Sequence, residues 1–456
     1  MSSRQTDDDF NPKPASTAGS LLSILDEACF DCCQVCDDHC NCCCRCFDEC
    51  CFGCFSFIQP KPKPPRPPVI MLAKEYEHRS TFATLPRTTR GMPFVLGGDP
   101  KGKNFLYCNG TSVIIRNIEE PALCDIYTEH SVPTTVAKYS PSGFYIASGD
   151  QSGKVRIWDT TQSTHILKAE YQHISGAVRD IGWSADSQRL AVVGEGRERF
   201  GHVFLFETGT SNGSLSGQSK SINSVEFRPT KPLRIITASE DNTVAIFEGP
   251  PFKFKNFFQQ HTRFAHCSRY NPDGSVFASI GADGKVDILN AKGEICHPAC
   301  KGNAHGGSIY GLSWSPDGRQ ILTASGDKTA KIWDVETKAL VSTFNLGSDI
   351  EDMQLSCLWQ GSFLLSISLN GFISYLDVNN PAKPLRVVKG HNKPITAMAQ
   401  NDDRSKIYTA DIEGSVINIT SIARASHAGL GGPQEAGAIF NVGLSEFLRK
   451  VKDWSH

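Results

Sequence analysis

The stretch Ala304-His-Gly-Gly-Ser-Ile-Tyr-Gly-Leu-Ser-Trp-Ser-Pro-Asp-Gly-Arg-Gln-Ile-Leu-Thr-Ala-Ser-Gly-Asp-Lys-Thr-Ala-Lys-Ile-Trp-Asp334 carries the plan of the chain. It reads as an apolar strand, a Pro-Asp-Gly turn, a second strand, a small-polar turn and a third strand. The same pattern recurs eight times between Arg116 and Ile419. Its closing aromatic position is held in turn by Arg116, Trp158, Phe206, Phe247, Leu289, Trp333, Leu376 and Ile419. The steps between them are 42, 48, 41, 42, 44, 43 and 43 residues. A period in the forties, with His near the start and Trp-Asp at the end, marks WD-type propeller blades.

Runs such as Val155-Arg-Ile-Trp158, Val203-Phe-Leu-Phe206, Val244-Ala-Ile-Phe247 and Val286-Asp-Ile-Leu289 alternate as strands do. Four short strands cannot bury both faces alone; stacked in a ring, they do, and the long open edges disappear. The expected fold class is all-β: a seven-bladed WD-repeat β-propeller of four-stranded blades, plus one extra blade-like repeat and a disordered Cys- and Pro-rich N-terminal segment. The expected domains are the extension 1–70, the propeller 82–380, the extra repeat 381–423 and a tail 424–456. The one long step coincides with Gly194-Glu-Gly-Arg-Glu-Arg-Phe-Gly201, an insertion between two strands.

In the WD pattern a His, an Asp of the last turn and the closing Trp form a buried hydrogen-bonded set. His305, Asp327 and Trp333 fit it. His261 and Asp283 fit, with Leu289 in place of the aromatic. Repeat two keeps His130 and Trp158 but has Ser152 in the Asp place. These are read as struts, not catalysts.

Composition narrows the function. Of 456 residues 21% are charged, and the formal net charge is −2, so a basic nucleic-acid binder is not indicated. No stretch reaches the length of a membrane span, and the polar start Met1-Ser-Ser-Arg-Gln-Thr-Asp-Asp-Asp-Phe10 does not read as a secretory signal. The repeats hold only Cys108, Cys124, Cys267, Cys296, Cys300 and Cys357, without paired spacing, which suits a reducing cytosol. Cytoplasm and cytoskeleton are the expected locations. Gly98-Asp-Pro-Lys-Gly-Lys103 lacks the Gly-Lys-Ser/Thr ending of a phosphate loop. No Gly-x-Ser-x-Gly elbow or His-Glu-x-x-His helix occurs. Neither an enzyme nor a cofactor site is expected.

Twelve of the eighteen cysteines fall between Cys29 and Cys54, before the proline-rich linker Pro60-Lys-Pro-Lys-Pro-Pro-Arg-Pro-Pro68. Three readings of the cysteines are open. One is an extension without a dedicated task. One is acylation, with Cys42, Cys43 and Cys44 as lipidation candidates, which would make a membrane the partner. The last is zinc chelation through spacings such as Cys29/Cys32 and Cys33/Cys36, although the crowded ligand sets argue against one defined metal site. At the other end Leu444, Phe447, Leu448, Val451 and Trp454 fall at helical spacing, with Ser445 as a cap candidate, as a packed helix or a partner-binding one.

A specific likeness lies in the segments Tyr127-Thr-Glu-His130, Val136-Ala-Lys-Tyr-Ser-Pro-Ser-Gly143, Ala147-Ser-Gly-Asp150, Arg156-Ile-Trp-Asp-Thr-Thr161, Val193-Gly-Glu-Gly-Arg-Glu-Arg-Phe-Gly201 and Phe247-Glu-Gly-Pro-Pro-Phe-Lys-Phe-Lys255. They resemble the actin-interacting protein 1 family of WD-repeat proteins, from about Phe82 to about Ile422. The resemblance implies two propellers, filamentous actin and cofilin as partners, and disassembly of cofilin-decorated filaments without covalent chemistry. It implies actin- or cofilin-binding roles for Glu198, Glu240, Phe254 and Phe264. Read from the residues, Phe252 and Phe254 alternate with Lys253 and Lys255 as a strand with one apolar face, and packing between blades is the competing role for both Phe254 and Phe264. The chain departs from the family by stopping after one repeat beyond seven. In two-propeller relatives the equivalent of Phe82-Ala-Thr-Leu85 is a candidate to complete the second propeller instead of the first. The alternatives are a generic WD-repeat scaffold or a truncated form that competes with its longer relative.

Overall fold

The strands of each repeat are short and separated by turns, so each pairs with its neighbour in sequence. In the computed structural model the described residues are 83–162, 164–197, 199–290, 295–298, 302–401, 406–412, 414–420 and 441–442. They form eight four-stranded antiparallel sheets, each in sequential order. The sheets span 97–127, 134–172, 178–214, 222–258, 265–298, 309–345, 354–388 and 395–442. Among the described residues the helical content is one short turn, Ile350–Asp352. None of their helices is long and apolar enough to cross a membrane.

The first strands of sheets 1 to 7 touch in succession, and the first strand of sheet 7 touches that of sheet 1. The ring therefore closes at seven. Its interior is seven separate cores, one at each junction. Val136, Ile157, Val178 and Phe204 pack between sheets 2 and 3. Ile222, Phe247 and Phe252 meet Val193 and Val203 between sheets 3 and 4. Ile309, Trp314 and Trp333 meet Ile280 and Ile288 between sheets 5 and 6. Within the ring, the inner strands of each sheet are apolar on both faces because both are covered.

No strand is shared across the seam between sheets 7 and 1. Residues 83–85 fill it instead. Leu85 is fully buried among Phe105, Tyr107 and Ile114 of sheet 1 and Leu365, Ile367 and Ile373 of sheet 7. The Tyr107 hydroxyl donates to the Thr84 carbonyl at 2.6 Å, and Arg116 Nη2 donates to that of Ala83 at 2.8 Å. Arg116, at the closing aromatic position, also donates to the Tyr107 hydroxyl at 2.7 Å. This stretch thus serves the ring that is present.

The eighth sheet differs. Ile395–Gln400 is its first strand, and Ile395 and Met398 are exposed, whereas the matching strand Ile222–Phe227 of sheet 4 is almost wholly buried. It joins the ring where Leu85 N donates to His391 O at 2.7 Å and Asn392 Nδ2 donates to Asn370 O at 2.8 Å.

Two expected boundaries move. The outer strand of sheet 7, Arg386–Val388, lies past residue 380, because a turn-rich stretch delays it. Asn441–Val442, placed in the tail by the sequence reading, is the fourth strand of sheet 8, paired to Val416 and Ile417. The cysteine cluster with Cys42, Cys43 and Cys44, the proline linker and the helical pattern from Leu444 to Trp454 lie outside the described residues.

Leu85→Ala should cost about 2–5 kcal/mol, as expected for a fully buried leucine. Ile395→Ala should stay within about 0.5 kcal/mol, as at an exposed site. Guanidinium unfolding of the two variants measures the difference; equal effects would show that Leu85 does not seal the ring.

Candidate functional site

Strand direction alternates within each sheet, so two kinds of loop reach the same end. One is the link from the fourth strand of a sheet to the next sheet; the other is the turn between second and third strands. The insertion 194–201, the link 215–221, the turn 240–243 and the link 259–264 all belong to this end.

The link 215–221 is locked from below. Leu215 is buried between sheets 3 and 4. Gln218, also buried, donates to the Thr243 carbonyl at 3.1 Å and accepts from the Thr237 hydroxyl at 2.6 Å. The Ser219 amide donates to Asp241 Oδ2 at 2.8 Å, while Asp241 Oδ1 accepts from the Thr243 amide at 3.0 Å.

Three of the four sequence-expected residues meet on this link. Glu240 donates its backbone N–H to Ser221 O at 3.0 Å. Its carboxylate lies 3.6 Å from Arg179 Nη2, which also holds Glu195 at 2.5 Å. Phe264 is 43% exposed, with the Lys220 ammonium 5.6 Å from its ring centroid. Phe254 is 40% exposed and packs edge-on to Phe247 at 5.9 Å. Its ring also covers Gly217, where a Cβ would lie 2.9 Å from Phe254 Cδ2; with φ at +115° as well, that position favours glycine. Glu198 lies outside the described residues.

Phe252 and Phe254 separate. Phe252 is buried against Phe227 at 5.5 Å, in the packing role. Phe254 keeps an exposed face. Past it the pairing slips: Ile246 faces Asn256 but Phe247 faces Phe254, so Lys255 is bulged out. Strict alternation would set Phe254 and Phe257 on opposite faces. The bulge returns them to one, with ring centroids 6.2 Å apart and Phe257 50% exposed. Sequence alternation could not reveal Phe257, because a bulge leaves no period of its own.

The strut histidines are buried. His305 Nδ1 faces Asp327 at 2.9 Å and Nε2 faces the Thr323 hydroxyl at 2.8 Å, to which Trp333 Nε1 donates at 3.1 Å. His261 bonds Asp283 at 3.1 Å and Ser279 at 3.0 Å. In repeat two the place of Ser152 is corrected. His130 pairs with Asp150 at 3.2 Å, two residues earlier, and the Ser152 hydroxyl donates to that carboxylate at 2.6 Å. His130 Nε2 meets Ser148 Oγ at 2.6 Å, and Trp158 Nε1 donates to the same oxygen at 3.1 Å. His391 and Asp411, at 2.8 Å, repeat this earlier spacing in sheet 8. An ionised Asp only accepts, so each ring carries its proton on Nδ1. Burial pushes His130 and His305 below the usual histidine range despite their Asp partners, so these pairs are hydrogen bonds of neutral imidazole. Burial raises Asp283, but its His261 hydrogen bond and backbone donors win and take it down to about 2.

The axial cavity, about 290 Å³, is lined by Lys138, Glu226, Arg269 and Tyr310 among others. Asp180 pairs with two of these cations, Lys138 at 2.6 Å and Arg269 at 3.1 Å. Among the described residues no group of three His, Cys, Asp or Glu side chains could hold a metal. Exposed rings and charges are available for recognition at the loop end.

The WD domain, G-beta repeat model matches residues 122–159, 209–248, 298–334 and 382–417. Actin-interacting protein 1 of Drosophila melanogaster is 60% identical over 357 residues, covering 78% of this chain and 58% of that protein. The chain belongs to the actin-interacting protein 1 family. WD repeat-containing protein 1 of Xenopus tropicalis is 57% identical over 344 residues, 75% of this chain and 57% of that protein. The Mus musculus protein of that name is 56% identical over 337 residues, 73% of this chain and 56% of its own length. The chain therefore spans a little over half the length of the family members it matches.

Beneath the insertion peculiar to sheet 3 lie His173 and His202, with ring centroids 4.6 Å apart. Burial, then the neighbouring charges of His173 and Arg199, push His202 down to about 4. Unfolded, it would titrate near 6.5. Below that value the unfolded chain binds the extra proton, so stability present at pH 7 is lost as pH falls from about 6.5 towards about 4. His202→Phe should make the fall of stability across this window shallower, read by denaturant unfolding at a series of pH values; an unchanged slope would rule His202 out as a contributor.

Proposed function

We propose that this chain is a non-catalytic actin-binding module that acts on cofilin-decorated filaments and promotes their disassembly. The observation that carries the reading is the convergence of Glu240, Phe254 and Phe264 on the link 215–221. It occurs in a chain whose relative is named for interaction with actin. Exposed aromatic side chains ringed by charge are the usual anchors of protein interfaces. A rigid ring suits a mechanism of differential binding: a module that prefers a filament state already altered by cofilin shifts the population towards breakage without a chemical step.

A second reading, occupation of the filament site without disassembly, is favoured by sheet 8. Its first strand shows Ile395 and Met398 uncovered, where a neighbouring blade covers the equivalent strand in the ring. Sedimentation of actin with and without cofilin distinguishes the readings. Added protein should lower pelletable actin only when cofilin is present. Glu240→Ala and Phe254→Ala should each weaken the effect by about tenfold, the scale of interface anchors. Co-pelleting without loss of polymer would support occupation alone. Absence of the protein from the pellet, with cofilin bound, would reject both.

A further inference from the structure

Lys220 sits in the middle of the link on which the expected binding residues meet, and sequence reading singles it out in no way. Its ammonium lies 5.6 Å from the centroid of Phe264, and both side chains are exposed. A lysine chain normally loses considerable rotamer freedom on binding. One already resting on an aromatic face loses less, because the cation–π contact has ordered it beforehand.

The carboxylates around it are already engaged. Glu240 and Glu195 share Arg179. Asp241 accepts from the amides of Ser219 and Thr243. Asp283 accepts from the Thr262 amide and faces His261. By contrast, Lys220 and Arg263, the latter beside Phe264, are exposed, and no carboxylate pairs with them among the described residues. Among the described residues, the Phe264 side of the loop end therefore offers cations without internal acids next to a ring with an open face.

We propose that Lys220 is a binding residue: an ammonium held ready on the Phe264 ring, which pairs with a carboxylate that the partner surface presents beside an apolar side chain. The apolar group lies against Phe264 while the carboxylate meets the ammonium above it. The partner is thus an acidic protein surface with apolar groups interspersed, and a basic surface is rejected. This rests on the actin reading for the identity of the partner, but not for its chemistry.

The test uses the intact chain in two assays. One is co-sedimentation with cofilin-bearing actin filaments. The other is fluorescence anisotropy of an end-labelled peptide of alternating Glu and Leu, beside a control peptide with Lys for Glu. Lys220→Arg should bind within about twofold of the parent. Lys220→Ala should weaken binding about threefold to fivefold, the scale of an exposed cation–π pair. Lys220→Glu should weaken it about tenfold or more and reverse its salt dependence, as repulsion replaces attraction. The same order should hold on the acidic peptide, with the Lys peptide unbound. Because Lys220 is exposed, thermal unfolding should not change in any variant. If all variants bind filaments like the parent, the role of Lys220 is overturned while the actin reading stands. If the parent ignores filaments yet takes up the acidic peptide in the order given, Lys220 is upheld and the actin reading is overturned. Binding to neither removes both.

Discussion

Sheet-on-sheet packing is the interaction everything else rests on. Each sheet of the ring is four short strands, the inner ones apolar on both faces, and too small to stand alone. It becomes stable only between two others, so the cores of this molecule are seams: Val178 and Phe204 against Val136 and Ile157, and Trp314 and Trp333 against Ile280 and Ile288. A row of seams has two uncovered ends unless it closes. Here the closing seam shares no strand, and Leu85 fills the space between sheets 1 and 7. The eighth sheet shows the same constraint from outside. It keeps the strand order and the His391–Asp411 pair, yet its first strand is exposed because no neighbour covers it among the described residues.

The seams also explain where recognition takes place. Strands locked on both faces leave only their connecting loops and outer edges to vary. The buried His–Asp pairs tie the loop entering a sheet to its second strand and following turn, which steadies the loop end. Two ways of supplying that carboxylate coexist. Asp283 and Asp327 come from the turn itself, whereas Asp150 and Asp411 come from the end of the strand. On this frame the link 215–221 becomes a platform. Gln218 and Ser219 fix it to the neighbouring turn, Gly217 lies under Phe254, and Lys220 lies over Phe264.

Much of the fold is readable in the sequence. Repeat spacing gave the number of sheets, and the His and Trp-Asp positions placed the struts His130, His261 and His305. What could not be read were features set by partners distant in sequence. Asp150 replaces the expected turn Asp because the space beside His130 is reachable from the strand end, a matter of three-dimensional reach. Phe254 and Phe257 share a face through a slip in pairing with Phe247, which depends on the opposing strand. Asn441–Val442 joins sheet 8 from a stretch with no repeat signal, because two backbone hydrogen-bonding residues need no particular side chains.

The sequence by itself determined the repeat and the all-β class, because alternation, turn residues and motif spacing are local properties of the chain; the family and the candidate binding residues came from its resemblance to known proteins. Only the tertiary structure decided which residues face outward together. It buried Phe252 and left Phe254 open, tied Glu240 to Arg179, set Lys220 over Phe264, and gave residues 83–85 to the seam of the ring. Each of these depends on which sheet lies alongside, and that neighbour is supplied by closure of the ring.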